Sequence, residues 1–334
     1  MEYRSIFERI NNANNIEEIS KIICEKYKIG EYIKHKIIEV GYEDFNVVLD
    51  STNGKYFVKI LNKERTDEEC IRLANIYYTA RNNGINVPKI YKFNEELILT
   101  IDIENTKLRI MLMEYIDGAN MYELERNLSL EEIEEVTEQA AKIDRIDFNV
   151  NPYYDEWTLT NFKSEYEKKR NFICEEDKEM VDKVYKEFLN IDFEKLPKSY
   201  IHGDIMNANL IKDKDKIWLI DFSTVNYLPR IIELVVIAYG ICIYNDREDS
   251  IKRLNYFLNR YNEMNEITQM ELDLFCPILN TMGAMSLMQS SFIKANGENF
   301  IENQYWLDKG KEVINLNLKK EEIELVKRNN KKEV

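Results

Sequence analysis

The residues best suited to do chemistry lie in one stretch, Tyr200-Ile201-His202-Gly203-Asp204-Ile205-Met206-Asn207-Ala208-Asn209-Leu210-Ile211, and in the run Ile217-Trp218-Leu219-Ile220-Asp221-Phe222 that follows. Asn209–Lys212 and Ile217–Ile220 are apolar-rich and flank a polar turn, Asp213-Lys214-Asp215-Lys216, which predicts a hairpin. Cross-strand neighbours lie at nearly equal counts from a turn. Asn209 and Asp221 therefore fall at the same open end, with Asp204 a few residues before it. A carboxylate and an amide oxygen held together suit a hard cation such as Mg²⁺, with phosphate and water as the other ligands. A second carboxylate can orient an alcohol proton, which completes what phosphoryl transfer needs. Taken singly, an Asp in a Gly-containing loop is usually a turn or cap residue. Three oxygen-bearing side chains at this spacing weigh against that reading, while His202 is read as a structural brace.

The elements that must hold these groups change character along the chain. Ile6, Ile10, Ile19, Ile22 and Ile23 recur at helical intervals up to about Gly30. Lys36–Val40, Asn46–Leu49 and Tyr56–Ile60 read as strands, the last two joined at Ser51-Thr52-Asn53-Gly54. Thr66 to Asn83 reads as a helix, with Thr66 as N-cap, Glu69 as its capping-box partner and Gly84 as the stop. Strands return at Lys89–Phe93, Leu97–Ile103 and Leu108–Tyr115. From Gly118 on, helices are expected at Ser129–Ile146, Leu159–Phe172, Lys178–Leu189, Arg230–Tyr244, Ser250–Tyr261, Thr268–Lys294 and Tyr305–Leu318, interrupted only by the hairpin near 209–220. Lys319–Val334 reads as a charged, fraying tail. A β-rich part followed by a helical part predicts an α+β fold of two lobes, residues 1–116 and 117–334.

Composition sets outer bounds. A chain of 334 residues fits two packed lobes, and 44% hydrophobic residues can fill them. The formal net charge of −15 repels nucleic acid and anionic lipid, so neither is expected as a partner. Five cysteines, with no CxxC pair, read as buried thiols of a reducing compartment. With no apolar leader and no run long enough to span a bilayer, a cytoplasmic location without membrane contact is expected. There is no GxxxxGK[ST] and no GxGxxG, which disfavours a P-loop NTPase and a protein kinase. Nothing in the sequence sets an oligomeric state.

The HGDxxxxN pattern of His202–Asn209 followed by Ile220-Asp221-Phe222 resembles the catalytic and metal-binding loops of the aminoglycoside phosphotransferase and choline/homoserine kinase superfamily, whose fold is protein-kinase-like. The resemblance implies Asp204 as catalytic base and Asn209 and Asp221 as holders of Mg²⁺. Lys59, in the apolar run Phe57-Val58-Lys59-Ile60-Leu61, resembles the strand lysine that grips the phosphates of ATP or GTP. Such a lysine needs an acidic partner. Glu64, Glu68 and Glu69 are available, and Glu69 is the expected one. Gly84-Ile85-Asn86-Val87-Pro88 resembles the family's G-x-x-V-P segment, a structural helix stop. Met111–Gly118 resembles the strand and hinge between the lobes, where backbone groups of Glu114 and Ile116 would meet the base. Pro229–Leu234 matches P-x-x-x-D-L with Glu233 in the place of Asp, and Gly41 with Tyr42–Asn46 takes the phosphate-loop position. The likeness runs from about Ile37 to Leu234. Few residues separate Asp221 from Pro229, which leaves no platform for a peptide.

The expected activity is O-phosphotransfer from ATP or GTP to a small-molecule hydroxyl, on an aminoglycoside-type antibiotic or an amino alcohol. A metabolic kinase of homoserine, choline or methylthioribose type is the nearest alternative. A catalytically silent, spore-coat-like binding protein is the alternative of another class. Asp155, Glu156, Asp246, Glu248, Asp249, Glu263, Glu266 and Asp273, with Tyr154, Trp157 and Trp306, would favour a cationic acceptor. A generally acidic surface explains the same residues.

Overall fold

The computed structural model describes residues 6–39, 43–103, 106–214, 216–297 and 301–326. After a 3₁₀ turn at Ile6–Ile10, helix α1 (Ile16–Tyr27) begins where the Asn15 side chain accepts from the Glu18 N–H at 3.2 Å. Strands β1 (Tyr32–Ile38), β2 (Phe45–Ser51) and β3 (Gly54–Ile60) form an antiparallel meander, with Ser51 paired to Gly54 at the predicted turn. Helix α2 (Asp67–Asn82) carries the predicted capping box, in which Thr66 and Glu69 bond reciprocally, and Gly84 takes φ +79° just past its end. Strands β4 (Ile90–Tyr91), β5 (Leu99–Ile103) and β6 (Thr106–Glu114) complete a sheet ordered β1-β2-β3-β6-β4, with β5 also on β6.

Alternation along the strands sorts the sheet's side chains onto two cores. Phe45, Val47, Leu49, Val58, Ile60, Ile110 and Leu112 pack with Ile16, Ile19 and Ile23 of α1. The opposite face carries Phe57, Met111 and Met113, which belong to the core of the helical part. Helix α2 joins that second core through Cys70, Leu73, Ile76 and Tyr77. Lys59 alternates with Val58 and Ile60, so it projects from the second face, toward the helices.

The remaining chain runs β7 (Ala119–Asn120), α3 (Leu130–Ile143), α4 (Phe162–Lys169), α5 (Glu175–Phe188), β8 (Lys198–Ile201), β9 (Leu210–Asp213), β10 (Lys216–Leu219), β11 (Asn226–Pro229), α6 (Ile231–Ile237), α7 (Arg247–Met264), α8 (Gln269–Ala295) and α9 (Ile301–Asn315). The α+β division and the hairpin stand as predicted. The hairpin is not alone, however, because β7 adds to β9, and β11 pairs with β8. The expected helix at 230–244 is α6 followed by a π turn, Ala238–Cys242. There Gly240 lies against Met206, and a Cβ on it would stand 2.9 Å from Met206 Cγ. The expected helix at 159–172 is α4 between two 3₁₀ turns. Val40, Gly41 and Tyr42, part of the expected strand and phosphate loop, lie outside the described residues, as does Lys327–Val334 of the tail. All five cysteines are free, and three of them, Cys24, Cys70 and Cys242, are buried. Among the described residues no helix is long and apolar enough to cross a membrane.

Candidate active site

The β9–β10 hairpin aims the acidic groups as its sequence predicts. Leu219 pairs with Leu210, and the Ile220 N–H donates to Asn209 O at 3.0 Å, so Asp221 leaves the hairpin beside Asn209. Three residues from outside fix its position, one through its backbone carbonyl and two through their side chains. Asn86 O accepts from Leu219 N–H at 2.8 Å, Glu135 accepts from Ile217 N–H at 2.8 Å, and Gln139 donates to Ile217 O at 3.0 Å. The Gly84–Pro88 segment therefore does more than stop a helix, since its Asn86 buttresses the site. Asp221 takes φ +61°, a left-handed conformation that Asp tolerates better than most residues but that costs free energy. Its N–H donates to Tyr77 Oη at 2.8 Å, and its carboxylate accepts from Ser223 Oγ at 2.9 Å. Phe222 is anchored in the core with ring centroids 5.1 Å from Tyr77 and 4.3 Å from His202.

Between β8 and the hairpin runs the loop that carries Asp204. Buried His202 accepts from Asp204 N–H at Nδ1, 3.2 Å away, which leaves the Nε2 proton to bond Ile220 O at 3.2 Å. Burial lowers its pKa to about 4, against the pull of Asp221, so the ring is a neutral brace that joins loop to hairpin. Gly203 has φ +82°, and its N–H donates to Glu233 Oε2 at 2.8 Å. Burial raises the Glu233 carboxyl to about 8, which keeps it protonated near neutrality. Asn209 donates its amide to Asp204 Oδ2 at 2.6 Å and to Asp204 O at 2.9 Å, which turns the amide oxygen to the other side. Burial, and then the charge of Asp221, raise Asp204 to about 8. The structure thus brings Asp204, Asn209 and Asp221 together. Among the described residues no three His, Cys, Asp or Glu side chains form a metal cage. A cation between Asn209 and Asp221 would need phosphate and water to complete its shell, as Mg²⁺ does in nucleotide sites.

On the other wall of the cleft, Lys59 is drawn to this group, although not by the expected acid. Its Nζ lies 3.4 Å from Asp44 Oδ2. Burial disfavours its charge, but Asp44 and then Asp221 outweigh that and raise the pKa above the ordinary lysine value. Glu69 is not the partner. Its Oε2 accepts from Thr66 N–H at 2.7 Å and from Thr66 Oγ1 at 3.0 Å, and a carboxylate curled back into a capping box cannot also reach the strand. One turn further on, α2 offers Arg72, which donates to Ser223 O at 3.3 Å and to Val225 O. Neither Asp44 nor Arg72 was singled out in the sequence. Alternation was the available signal for Asp44, which shares the parity of Asn46, the cross-strand partner of Lys59. At the hinge, the Glu114 N–H already donates to Lys89 O at 2.8 Å, and the Glu114 carboxylate accepts from Lys89 N–H at 3.1 Å. Of Glu114's backbone groups, the carbonyl is the one a base could meet, with buried Ile116 just beyond.

Comparison with known proteins places the architecture. Among curated proteins, none matches the chain in sequence. Several solved structures share its fold. A spectinomycin phosphotransferase in complex with ADP and spectinomycin is 17% identical, with a TM-score of 0.59 over 92% of this chain and 98% of that one. A microcompartment-associated aminopropanol kinase is 11% identical, with a TM-score of 0.66 over 89% and 95%. A choline kinase from Streptococcus pneumoniae is 16% identical, with a TM-score of 0.56 over 89% and 99%. Residues 34–270 match the model of the phosphotransferase enzyme family, APH, which spans the sheet, the Asp204 loop and the hairpin. The chain belongs to that family and is a small-molecule kinase.

Proposed function

We propose that the chain moves the γ-phosphoryl group of a magnesium-bound nucleoside triphosphate, ATP or GTP, to a hydroxyl of an amino alcohol or aminoglycoside-type compound. One observation carries this reading. Asp204 sits in a braced loop, bonded to Asn209 and within the field of Asp221, on the side of the cleft that Lys59 faces. In this reading Lys59 binds the phosphates, and the Glu114 carbonyl and Ile116 backbone meet the base. Asn209 and Asp221 would hold the metal, whose charge would offset that of Asp221 and lower the Asp204 pKa, so that Asp204 is ionised and takes the acceptor's proton as its oxygen attacks. When bound, the metal supplies positive charge to the transferring phosphoryl oxygens.

Much of the acidic surface expected to recruit a cationic acceptor is already in use. Asp246 caps α7, Asp249 pairs with Arg253, Glu263 with Arg260 and Asp273 with Lys320. Asp155 accepts from Trp157 N–H at 3.0 Å and from Thr158 Oγ1 at 3.3 Å but has no cationic partner among these contacts, and its charge reaches Asp204. An ammonium group near Asp155 would set an acceptor hydroxyl close to Asp204, which favours an amino alcohol. The aminopropanol and choline kinases that share the fold lend this choice weight.

The test is turnover of Mg·ATP and Mg·GTP with a panel of aminoglycosides, choline, aminopropanol and homoserine. Phosphorylation of an amino-bearing alcohol is expected. Asp204→Asn should lower kcat by about 10³-fold and leave nucleotide affinity nearly unchanged. Nucleotide binding without transfer to any alcohol would refute the enzymatic reading and favour a silent binding protein.

A further inference from the structure

We propose that Asp44 is the positioning residue for Lys59, the carboxylate that holds its ammonium where a nucleotide's phosphates are to be gripped, in place of an acid on α2. The inference rests on the nucleotide-binding reading above. Kinase-like sites need this lysine paired, and the usual partner comes from the helix after the strand. Here that helix gives Glu69 to its own N-terminus and directs Arg72 across the cleft, while Glu64 and Glu68 are exposed. The acid comes instead from the residue just before β2.

Register explains how it reaches. Asn46 is paired with Lys59 across the β2–β3 ladder, and Asp44 lies two residues before Asn46. Asp44 therefore projects on the same face as Lys59, one diagonal step away, while Phe45 and Val47 turn into the core behind the sheet. Its carboxylate is built in. Oδ1 accepts from Asn62 N–H at 2.9 Å and from Arg65 Nε at 3.0 Å, and Oδ2 accepts from Arg65 Nη2 at 3.3 Å as well as from Lys59. Arg9 secures the backbone by donating to Asp44 O at 3.1 Å. The Asp44 side chain is 1% exposed and that of Lys59 is 11% exposed, so the lysine has the freer end and the acid the fixed one. A group so enclosed is part of the wall. It does not occupy the place of a phosphate.

The experiment measures binding of Mg·ADP and of adenosine by calorimetry, for wild type, Asp44→Asn and Glu69→Gln. Adenosine has no phosphate for Lys59 to hold. Asp44→Asn should therefore weaken Mg·ADP by about tenfold or more and leave adenosine unchanged. Glu69→Gln should lower the melting temperature and change neither affinity. In a Lys59→Ala background, Asp44→Asn should weaken Mg·ADP no further, because the two residues act as one unit. Equal loss of ADP and adenosine in Asp44→Asn would reduce Asp44 to a structural role and overturn the inference. Tighter ADP binding in that variant would overturn it too, since Asp44 would then be a competitor for the phosphates. So would a Glu69→Gln effect as large as that of Asp44→Asn. A wild type that binds neither these ligands nor Mg·GDP and guanosine, run in the same way, would overturn the proposed function and this inference together.

Discussion

Replacing Glu233 by Gln should make the protein more stable, by an amount that grows with pH. The wild-type carboxyl is completely buried. It accepts the Gly203 N–H through Oε2, while Oε1 has no partner. An ordinary glutamate ionises near 4.5, whereas this one holds its proton to about 8. The folded state therefore retains a proton that the unfolded chain releases. That contribution to stability is complete below the unfolded value and is lost as pH rises toward the folded one. The loss is about 1.4 kcal/mol per pH unit across the window, or roughly 3 kcal/mol by pH 7. Gln has no proton to lose and keeps the acceptor for Gly203. The variant should exceed wild type by less than about 1 kcal/mol at pH 5 and by roughly 3 kcal/mol at pH 7, with kcat little changed. Glu233→Ala should behave oppositely, losing about 1–3 kcal/mol and much of its activity because Gly203 N–H is left buried without an acceptor. Urea unfolding in chelator at pH 5, 6, 7 and 8 reads the difference. A stability gap between Gln and wild type that stays constant across that range, or that shrinks as pH rises, would refute the reasoning.

Other perturbations act on the same machinery. Asn209→Ala and Asp221→Ala should each raise the magnesium concentration for half-maximal turnover by about tenfold or more, read from activity against metal at saturating nucleotide. Gly240→Ala would place a Cβ 2.9 Å from Met206 Cγ and 3.1 Å from Met206 Cα. It should cost about 1–3 kcal/mol in denaturant unfolding. It should also lower kcat more than nucleotide affinity, because Met206 is two residues from Asp204. Gly118→Ala would meet the Lys212 carbonyl carbon at 2.8 Å, where no flexible side-chain end can yield. A loss of about 3 kcal/mol or more and a lower melting temperature should follow.

Which of these features could be read in advance depended on how local their causes are. The hairpin was legible because its strands, its turn and the open end with Asn209 and Asp221 all lie within a dozen residues. The capping box of Thr66 and Glu69 was legible for the same reason. That very motif excluded Glu69 from the pairing expected of it, a conflict visible in the sequence once both roles are placed on one carboxylate. Asp44 was missed because its role depends on a cross-strand diagonal and on donors from Arg65 and Asn62, well removed along the chain. Strands β8 and β11 escaped because each has only four residues and finds its partner across the Asp204 loop and the hairpin. The π turn after α6 brings Gly240 against Met206, a contact between distant segments that no helical periodicity encodes.

Helix α2 precedes β4 in the chain, yet it is fastened to the far side of the cleft. Arg72 grips the carbonyls of Ser223 and Val225, Tyr77 receives the Asp221 N–H, and the helix shares its core with α3 to α9. Swinging all of residues 6–116 outward as one body would tear these bonds away from the segment that carries Asp221. The first turn of α2 is tied to the sheet as well, where Asp67 pairs with Lys107 at 2.8 Å and Arg109 at 3.2 Å, so α2 clasps the sheet to the helical part. Lys59 and Asp44 lie on the sheet's side of that clasp, on neighbouring strands, so any shift of the sheet against Asp221 would carry their ion pair as one unit.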